Sequence, residues 1–284
     1  MSIIQKALEQ SGKVRAKEHR QNDPISFRKK RAKPVYLNAA PRHRLDLRAL
    51  ARKGIYAEGD LALRAAAEYR QIKRPLLDNA LNKGPVRIEN GNVIMVTSSV
   101  PGEGKTFTAI NLALSMALEQ DSTVLLVDAD VTKRDTSNLL NVDNAPGLMD
   151  VLLPDSDVAL EDVLLRTDNL NLVILPAGQR HSNAAELLAS RQMELVVREL
   201  AARYPDRIIL LDSPPLLAGS EARILNRFVG QVVMVVAAVH TLQQVFHEAT
   251  AQLDPDKPTG VVLNKSQRFL NSDYYYGYYG NEAG

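Results

Sequence analysis

The sequence predicts an α/β fold, with a mostly parallel sheet covered by helices on both faces. Three observations carry that prediction. Short β-branched runs recur at Val93–Thr97, Val124–Val127, Leu172–Leu175, Ile208–Leu211, Val232–Val236 and Gly260–Leu263. Amphipathic stretches at Lys105–Glu119, Ala184–Arg203, Glu221–Arg227 and Thr241–Leu253 fall between them, the alternation expected of βαβ units. The strand runs are apolar almost throughout, as strands buried on both faces must be. A further helical stretch, Asp60–Asn82, precedes the first strand; Asp60 is its expected N-cap, and Pro75 is expected to bend or interrupt it.

The flanks read differently from this body. Residues 1–53 hold 15 Lys/Arg against 4 Asp/Glu, a charge of +11, whereas the remaining residues hold 20 against 29, a charge of −9. The near-neutral total of +2 therefore hides a basic head on a mildly acidic body. Residues 1–11 have capping-box spacing at Ser2 and Gln5 and one apolar face of Ile3, Ile4, Ala7 and Leu8, a candidate docking helix. From Ser11 to Lys53 the chain is polar, broken by Pro24, Pro34 and Pro41, and carries the cluster Arg28-Lys29-Lys30-Arg31. The reading is thus a flexible basic head over 1–56, a catalytic-sized body over 57–264 and a tail over 265–284. Five of the nine tyrosines, Tyr274, Tyr275, Tyr276, Tyr278 and Tyr279, lie in that tail.

Composition removes several function classes. Zero cysteines exclude a disulfide framework, thiolate metal ligation and cysteine catalysis. The longest apolar run, Val232–Val239, is eight residues, far below the about 20 a membrane span needs. The opening Met-Ser-Ile-Ile-Gln-Lys lacks the long apolar core of a secretory signal, so a cytoplasmic location is expected.

The chemistry concentrates in one constellation. Ser99-Val-Pro-Gly-Glu-Gly-Lys-Thr106 matches a P-loop with Ser in place of the first Gly, and it sits between a predicted strand and a predicted helix. This makes the fold class a P-loop NTPase. Gly102 and Gly104 let the backbone wrap a polyphosphate, with successive N–H groups pointing inward at a helix N-terminus. Val100, Pro101, Gly102, Glu103, Gly104, Lys105, Thr106 and Phe107 form the expected ATP-binding stretch. Lys105 would reach the β/γ oxygens, and Thr106 would help to hold Mg²⁺. Two more strands end in carboxylates, Val124–Val127 in Asp128 and Asp130, and Ile208–Leu211 in Asp212. In open parallel sheets ligands bind at the carboxyl ends of the strands, so all three acids are expected to face the P-loop. A carboxylate there can hold a metal or accept a proton.

These residues resemble a known family. Thr97–Thr106, Leu126-Val-Asp-Ala-Asp130 and Leu211-Asp-Ser-Pro-Pro215 resemble the Walker A, Walker A′ and Walker B motifs of bacterial tyrosine kinases, P-loop enzymes of exopolysaccharide systems. Gly147–Leu152, Leu175–Gly178 and Ala185–Ser190 are similar to further segments of that family. The opening Met-Ser-Ile-Ile-Gln-Lys-Ala-Leu and Tyr69–Leu77 resemble the subgroup found with exosortase-type loci. The similarity spans about 60–284, with a fainter match at 1–10. It implies ATP-dependent autophosphorylation of the C-terminal tyrosines, in trans within a ring of subunits. It also implies a membrane-anchored polysaccharide co-polymerase as activator, a cognate tyrosine phosphatase, and a position peripheral to the inner membrane through that partner.

Carried over, the resemblance makes Lys105, Asp128, Asp130 and Asp212 catalytic. Thr106, Asp128 and Asp212 become metal ligands, and Asp128 or Asp130 the base. Two places depart from the family pattern. Thr132 stands where Walker A′ often has Arg, and the ring-contact motif falls on Glu68, Gln71 and Arg74, with Arg70 beside the missing Arg. The +11 head then reads as a tether to an anionic leaflet rather than to nucleic acid.

Two other readings compete. A MinD/ParA-like ATPase usually has an extra Lys early in its P-loop, where this chain has Val100. A nucleotide-sensing scaffold without kinase activity would use the same carboxylates for binding alone. The tyrosine tail favours the kinase: residues 264–275 span about 40 Å when extended, enough to enter a neighbour's site.

Overall fold

The computed structural model describes residues 41–55, 60–84, 86–119, 122–168, 170–203 and 207–266. They belong to one compact unit, 37–284. The candidate helix 1–11, the Arg28–Arg31 cluster, the tail tyrosines and the side chain of Asp60 lie outside the described residues.

All six predicted strands are present as β2 (Val93–Ser98), β3 (Thr123–Asp128), β5 (Leu172–Leu175), β6 (Arg207–Asp212), β7 (Gln231–Ala237) and β8 (Thr259–Asn264). Two short strands join them, β1 (Arg42–His43) and β4 (Leu165–Thr167). The sheet order is β1-β4-β5-β3-β6-β2-β7-β8, and every neighbouring pair is parallel except β4 with β5. The two additional strands have no apolar run because they form one edge of the sheet, where polar residues such as Arg42 and Arg166 pair at no desolvation cost.

Side chains alternate across the sheet with the period of two that strands impose. Val93, Met95, Leu125, Val127, Ile209 and Leu211 enter one core, whereas Ile94, Val96, Val124, Leu126, Ile208 and Leu210 enter the other. The second core lies against α3 (Lys105–Met116), which contributes Ile110, Leu112, Ala113 and Met116. Two helices precede β2, α1 (Leu47–Arg52) and α2 (Asp60–Ala80). α1 falls within the stretch read as linker. Asp46 caps it by accepting from Ala49 N at 2.9 Å, and Leu50 and Ile55 are buried in the second core. The packed body thus includes residues from 42 onward, although few apolar residues signal it there.

Pro75 does not interrupt α2, which runs unbroken from Asp60 to Ala80. Its C-terminal half is fastened on both sides of that proline. Lys73 donates to Ser115 O at 2.8 Å, and Gln231 on β7 donates to Leu76 O at 3.1 Å. These anchors and the burial of Leu76 and Ala80 offset the hydrogen bond proline cannot make. The predicted helix Ala184–Arg203 is instead two, α6 (Ala184–Leu188) and α7 (Arg191–Arg203). Ser190 divides them, its hydroxyl donating to Leu187 O at 2.7 Å and accepting from Met193 N at 3.3 Å. The shorter helices α4 (Asp135–Leu139) and α5 (Leu148–Leu152) follow β3, α8 (Glu221–Asn226) follows β6, and α9 (Gln243–Thr250) follows β7.

Candidate active site

Strand register assembles the site. β3 and β6 are neighbours, and Asp128 pairs directly with Asp212 across them. On the other side of β6 lies β2, with Val96 opposite Asp212, so the turn leaving β2 rises beside both acids. Two carboxylates 84 positions apart in sequence thus meet at the carboxyl end of the two central strands, and the P-loop closes over them. Gly102 and Gly104 have φ of +89° and +99°, a region that disfavours any residue with a side chain. A Cβ on Gly104 would lie 2.0 Å from Nδ2 of Asn264, so the φ requires glycine there and any side chain would also displace the Asn264 amide.

Lys105 opens α3 and extends into the acids. Its Nζ lies 2.7 Å from Asp130 Oδ2 and 3.8 Å from Asp212 Oδ1, and it donates to Thr106 Oγ1 at 3.2 Å. Burial alone would depress the Lys105 pKa, but the carboxylates of Asp212 and Asp130 outweigh burial and hold it above the ordinary lysine value. Asp212 is fully buried, which raises its pKa despite Lys105 and the Thr136 hydroxyl, which donates to Oδ2 at 2.8 Å. Asp128 is pushed up to about 7 by burial and by the charge of Asp212, against two hydrogen bonds from Ser137. Ser137 donates to Asp128 Oδ2 through its amide at 2.7 Å and its hydroxyl at 2.6 Å. Asp130 accepts through Oδ1 from Lys133 N at 3.2 Å.

A second set of residues, not legible in the sequence, orients these groups. Thr136 and Ser137 lie in the first turn of α4. Ser137 is itself held because its hydroxyl accepts from Ala177 N at 3.0 Å. That amide belongs to the segment Leu175–Gly178, which packs against Gly147–Asp150: Leu148 N and Met149 N donate to Pro176 O and Ala177 O at 2.8 and 2.9 Å. Two sequence segments without obvious chemistry thus form one buttress behind Asp128.

The P-loop residues divide by direction. The carboxylate of Glu103 braces the loop: Oε2 accepts from Val100 N at 2.8 Å, and Oε1 accepts from the Thr241 hydroxyl and from Ala237 N at 3.5 Å. Asn264 Nδ2 donates to Glu103 O at 2.9 Å, and Lys265 Nζ donates to Gly102 O at 2.6 Å. Phe107 turns its ring toward the second core, next to Tyr69 and Ile72 on α2. Glu68, Arg70 and Arg74 are exposed along α2 and do not join the carboxylate cluster. Lys73, with Arg74 and Arg70 behind it, holds Glu119 below the usual carboxylate range.

The donor set fits a hydrated divalent cation. Asp128 Oδ1 and Asp212 Oδ1 are buried oxygens that accept no hydrogen bond; Lys105 Nζ stands 3.8 Å from the latter, and the Thr106 hydroxyl accepts from that Nζ at 3.2 Å. Among the described residues no group of three or more His, Cys, Asp or Glu has the spacing of a closed metal cage. One or two carboxylates, a hydroxyl and the oxygens of a phosphate substrate are donors that a hard divalent cation accepts.

Fold and site together define a P-loop nucleotide-binding enzyme. Comparison narrows the class. Residues 91–245 match the family model described as AAA domain. The chain is 34% identical to the tyrosine-protein kinase YwqD of Bacillus subtilis over 66% of its own length and 78% of that protein. It is 35% identical to the tyrosine-protein kinase wzc of Salmonella typhimurium over 66% of its own length, but spans only 26% of wzc. Among solved structures, the VpsO kinase domain superposes with a TM-score of 0.62 at 32% identity, covering 72% of this chain and 96% of that one. The kinase domain of the Escherichia coli tyrosine kinase ETK gives 0.56 at 27%, covering 66% and 72%. The chain belongs to the bacterial tyrosine-protein kinase family. Among the described residues no helix is long and apolar enough to cross a membrane.

Proposed function

We propose that this protein transfers the γ-phosphoryl group of ATP to its own tyrosines Tyr274, Tyr275, Tyr276, Tyr278 and Tyr279, in trans between subunits, and so regulates exopolysaccharide polymerisation and export. The observation that carries the reading is the Asp128–Asp212 register beside Lys105, within a member of the tyrosine kinase family. Backbone amides of residues 102–107 would hold the phosphates, and Lys105 would neutralise the transferring group. Thr106, Asp128 and Asp212 would hold Mg²⁺, which supplies charge neutralisation on the phosphate oxygens. Asp128, through an Oδ1 without a protein donor, or Asp130 takes the phenol proton as the tyrosine oxygen attacks in line. A phenol of pKa about 10 is largely protonated at neutral pH, so the carboxylate acts more by position than by basicity.

The exposed Glu68, Arg70 and Arg74 on α2 are our candidates for the contact between subunits. A membrane-anchored co-polymerase is the expected activator, and a tyrosine phosphatase is the expected antagonist. The basic head, residues 1–56, serves as the tether to that partner and to anionic lipid.

The test is incubation of the purified chain with Mg·ATP and mapping of phosphate by mass spectrometry, with and without the co-polymerase's cytosolic segment. Incorporation on Tyr274–Tyr279, lost in Lys105→Met, supports the reading. ATP hydrolysis that leaves every tyrosine unmodified in the presence of the partner would sink it. Mixing Lys105→Met with a chain whose tail tyrosines are Phe separates the routes: phosphate on the Lys105→Met chain requires transfer in trans.

A further inference from the structure

Beside the P-loop, at the outer edge of the sheet, apolar side chains stand in solvent. Among the described residues β8 is the last strand, paired with β7 alone. Its Val261 and Leu263 are 55% and 62% exposed, on the face that Met234 and Val236 of β7 continue in register. α9 packs Phe246 and Ala249 over Met234 but leaves β8 uncovered. The turn after β7 extends the patch with Val239 and Leu242, which are 91% and 69% exposed. Val239 has φ +67°, a left-handed conformation that β-branched residues rarely adopt. The turn is held there: Ala238 N donates to Asn264 O at 2.8 Å, and the Thr241 hydroxyl donates to Glu103. A strained, exposed apolar tip fastened to the P-loop and an unpaired neutral strand edge are both features that proteins ordinarily cover.

The chain itself supplies a matching cover. Residues 267–279 read Gln-Arg-Phe-Leu-Asn-Ser-Asp-Tyr-Tyr-Tyr-Gly-Tyr-Tyr, in which Phe269, Leu270 and the five tyrosines are the bulk and Arg268 balances Asp273. β8 carries no charge between Thr259 and Asn264, so a neutral aromatic segment meets a neutral apolar edge. Lys265, one residue past β8, has φ +56°, the left-handed conformation with which a chain reverses direction. From Ser266, Phe269 is within about 10 Å and Tyr274 within about 27 Å of extended chain, against about 20 Å for the length of β8. A tether this short places the segment at an effective concentration on the order of millimolar, so even weak contacts suffice.

We propose that residues 267–279 fold back antiparallel along the β8 edge and cover Leu263 and Val261, with Phe269 and Leu270 nearest the Val239–Leu242 tip and the tyrosines toward the Thr259 end. This is a docking site for the unphosphorylated tail on its own subunit, next to the P-loop. Phosphates of about −1.5 to −2 charges each cannot enter a neutral apolar edge, so phosphorylation releases the segment. That last step rests on the reading of these tyrosines as acceptors; the docking itself does not.

The absence of cysteine allows a clean test. A nitroxide is attached to Ser272→Cys in the full chain, dephosphorylated and without nucleotide, and the methyl signals of Val239, Leu242, Val261 and Leu263 are followed by NMR. The expected result is selective broadening of these methyls that persists on dilution and is lost in Phe269→Ser/Leu270→Ser. Replacing the five tail tyrosines by Glu should also abolish it. Methyls unaffected by the label overturn the proposal, whether or not the chain proves to be a kinase. Broadening that falls on dilution and appears equally when label and reporter are on separate molecules assigns the edge to a second copy and equally overturns it. Broadening that survives the five Glu substitutions overturns the release step.

Discussion

The substitution Lys105→Met, the natural choice for an inactive control, should do more than silence the site. Lys105 Nζ lies 2.7 Å from Asp130 and 3.8 Å from Asp212, both essentially buried. At an effective dielectric constant of about 20 these distances correspond to gross attractions of about 6 and 4 kcal/mol. Desolvating the ammonium group cancels much of this, and removal of one partner from a buried ionic cluster typically costs about 3–5 kcal/mol. The loss should depend on pH. Lys105 opposes the burial that raises Asp212, so its removal lifts the folded-state pKa of Asp212 further. A raised folded pKa contributes stability that is present below the unfolded value and lost as pH rises through the folded one. Lys105→Met should therefore be destabilised most near pH 8 and least near pH 5, in urea unfolding at matched ionic strength. Adding Asp130→Asn removes one of the stranded charges and should recover at least about 1.5 kcal/mol at the higher pH. A loss of equal size at both pH values, or no recovery in the double variant, refutes the reasoning. The same double variant is the safer inactive control for phosphorylation assays.

Three further outcomes follow from the geometry. Asp128 has a folded pKa of about 7 against an ordinary 3.8, so its contribution to stability is full below the ordinary value and lost as pH rises through about 7. Asp128→Asn should therefore stabilise the chain near pH 8, by at most about 4 kcal/mol, and lose that advantage near pH 4, as thermal melts across pH will show. Glu103→Gln leaves one carbonyl oxygen to serve the donors of Val100, Ala237 and Thr241, and should cost about 1–3 kcal/mol of stability and weaken nucleotide binding measured by calorimetry. Gly104→Ala places a Cβ 2.0 Å from Asn264 Nδ2 at φ +99°. It should destabilise by about 1–3 kcal/mol of backbone strain and displace the Asn264 amide from Glu103 O, and Asn264→Ala should leave the strain unrelieved.

The candidate site was legible wherever one short segment carries the whole signal. The P-loop needs adjacent residues between a strand and a helix, and the three acids close strands that their β-branched runs announce. Thr136, Thr241 and Asn264 were not legible, because each acts on a residue distant in sequence. Ser137, nine positions from Asp128, was not legible either, because a loop and helix turn between them set the approach. Thr136 reaches Asp212 from 76 positions away, and Asn264 reaches Glu103 from 161. α1 was hidden within the basic head because only one of its residues, Leu50, is buried.

The sequence by itself determined the class of fold, since alternating apolar strands and amphipathic helices must cover a parallel sheet on both faces. It also determined the local form of the P-loop, since Gly102, Gly104, Lys105 and Thr106 are adjacent and the turn into the helix depends on local backbone geometry. Strand order was decided only by the tertiary structure. Local propensity is blind to which strand pairs with which, and it is the pairing of β3 with β6 that sets Asp128 beside Asp212. Strand order likewise left β8 at the edge, where Val261 and Leu263 are apolar yet exposed because no further element among the described residues packs over them.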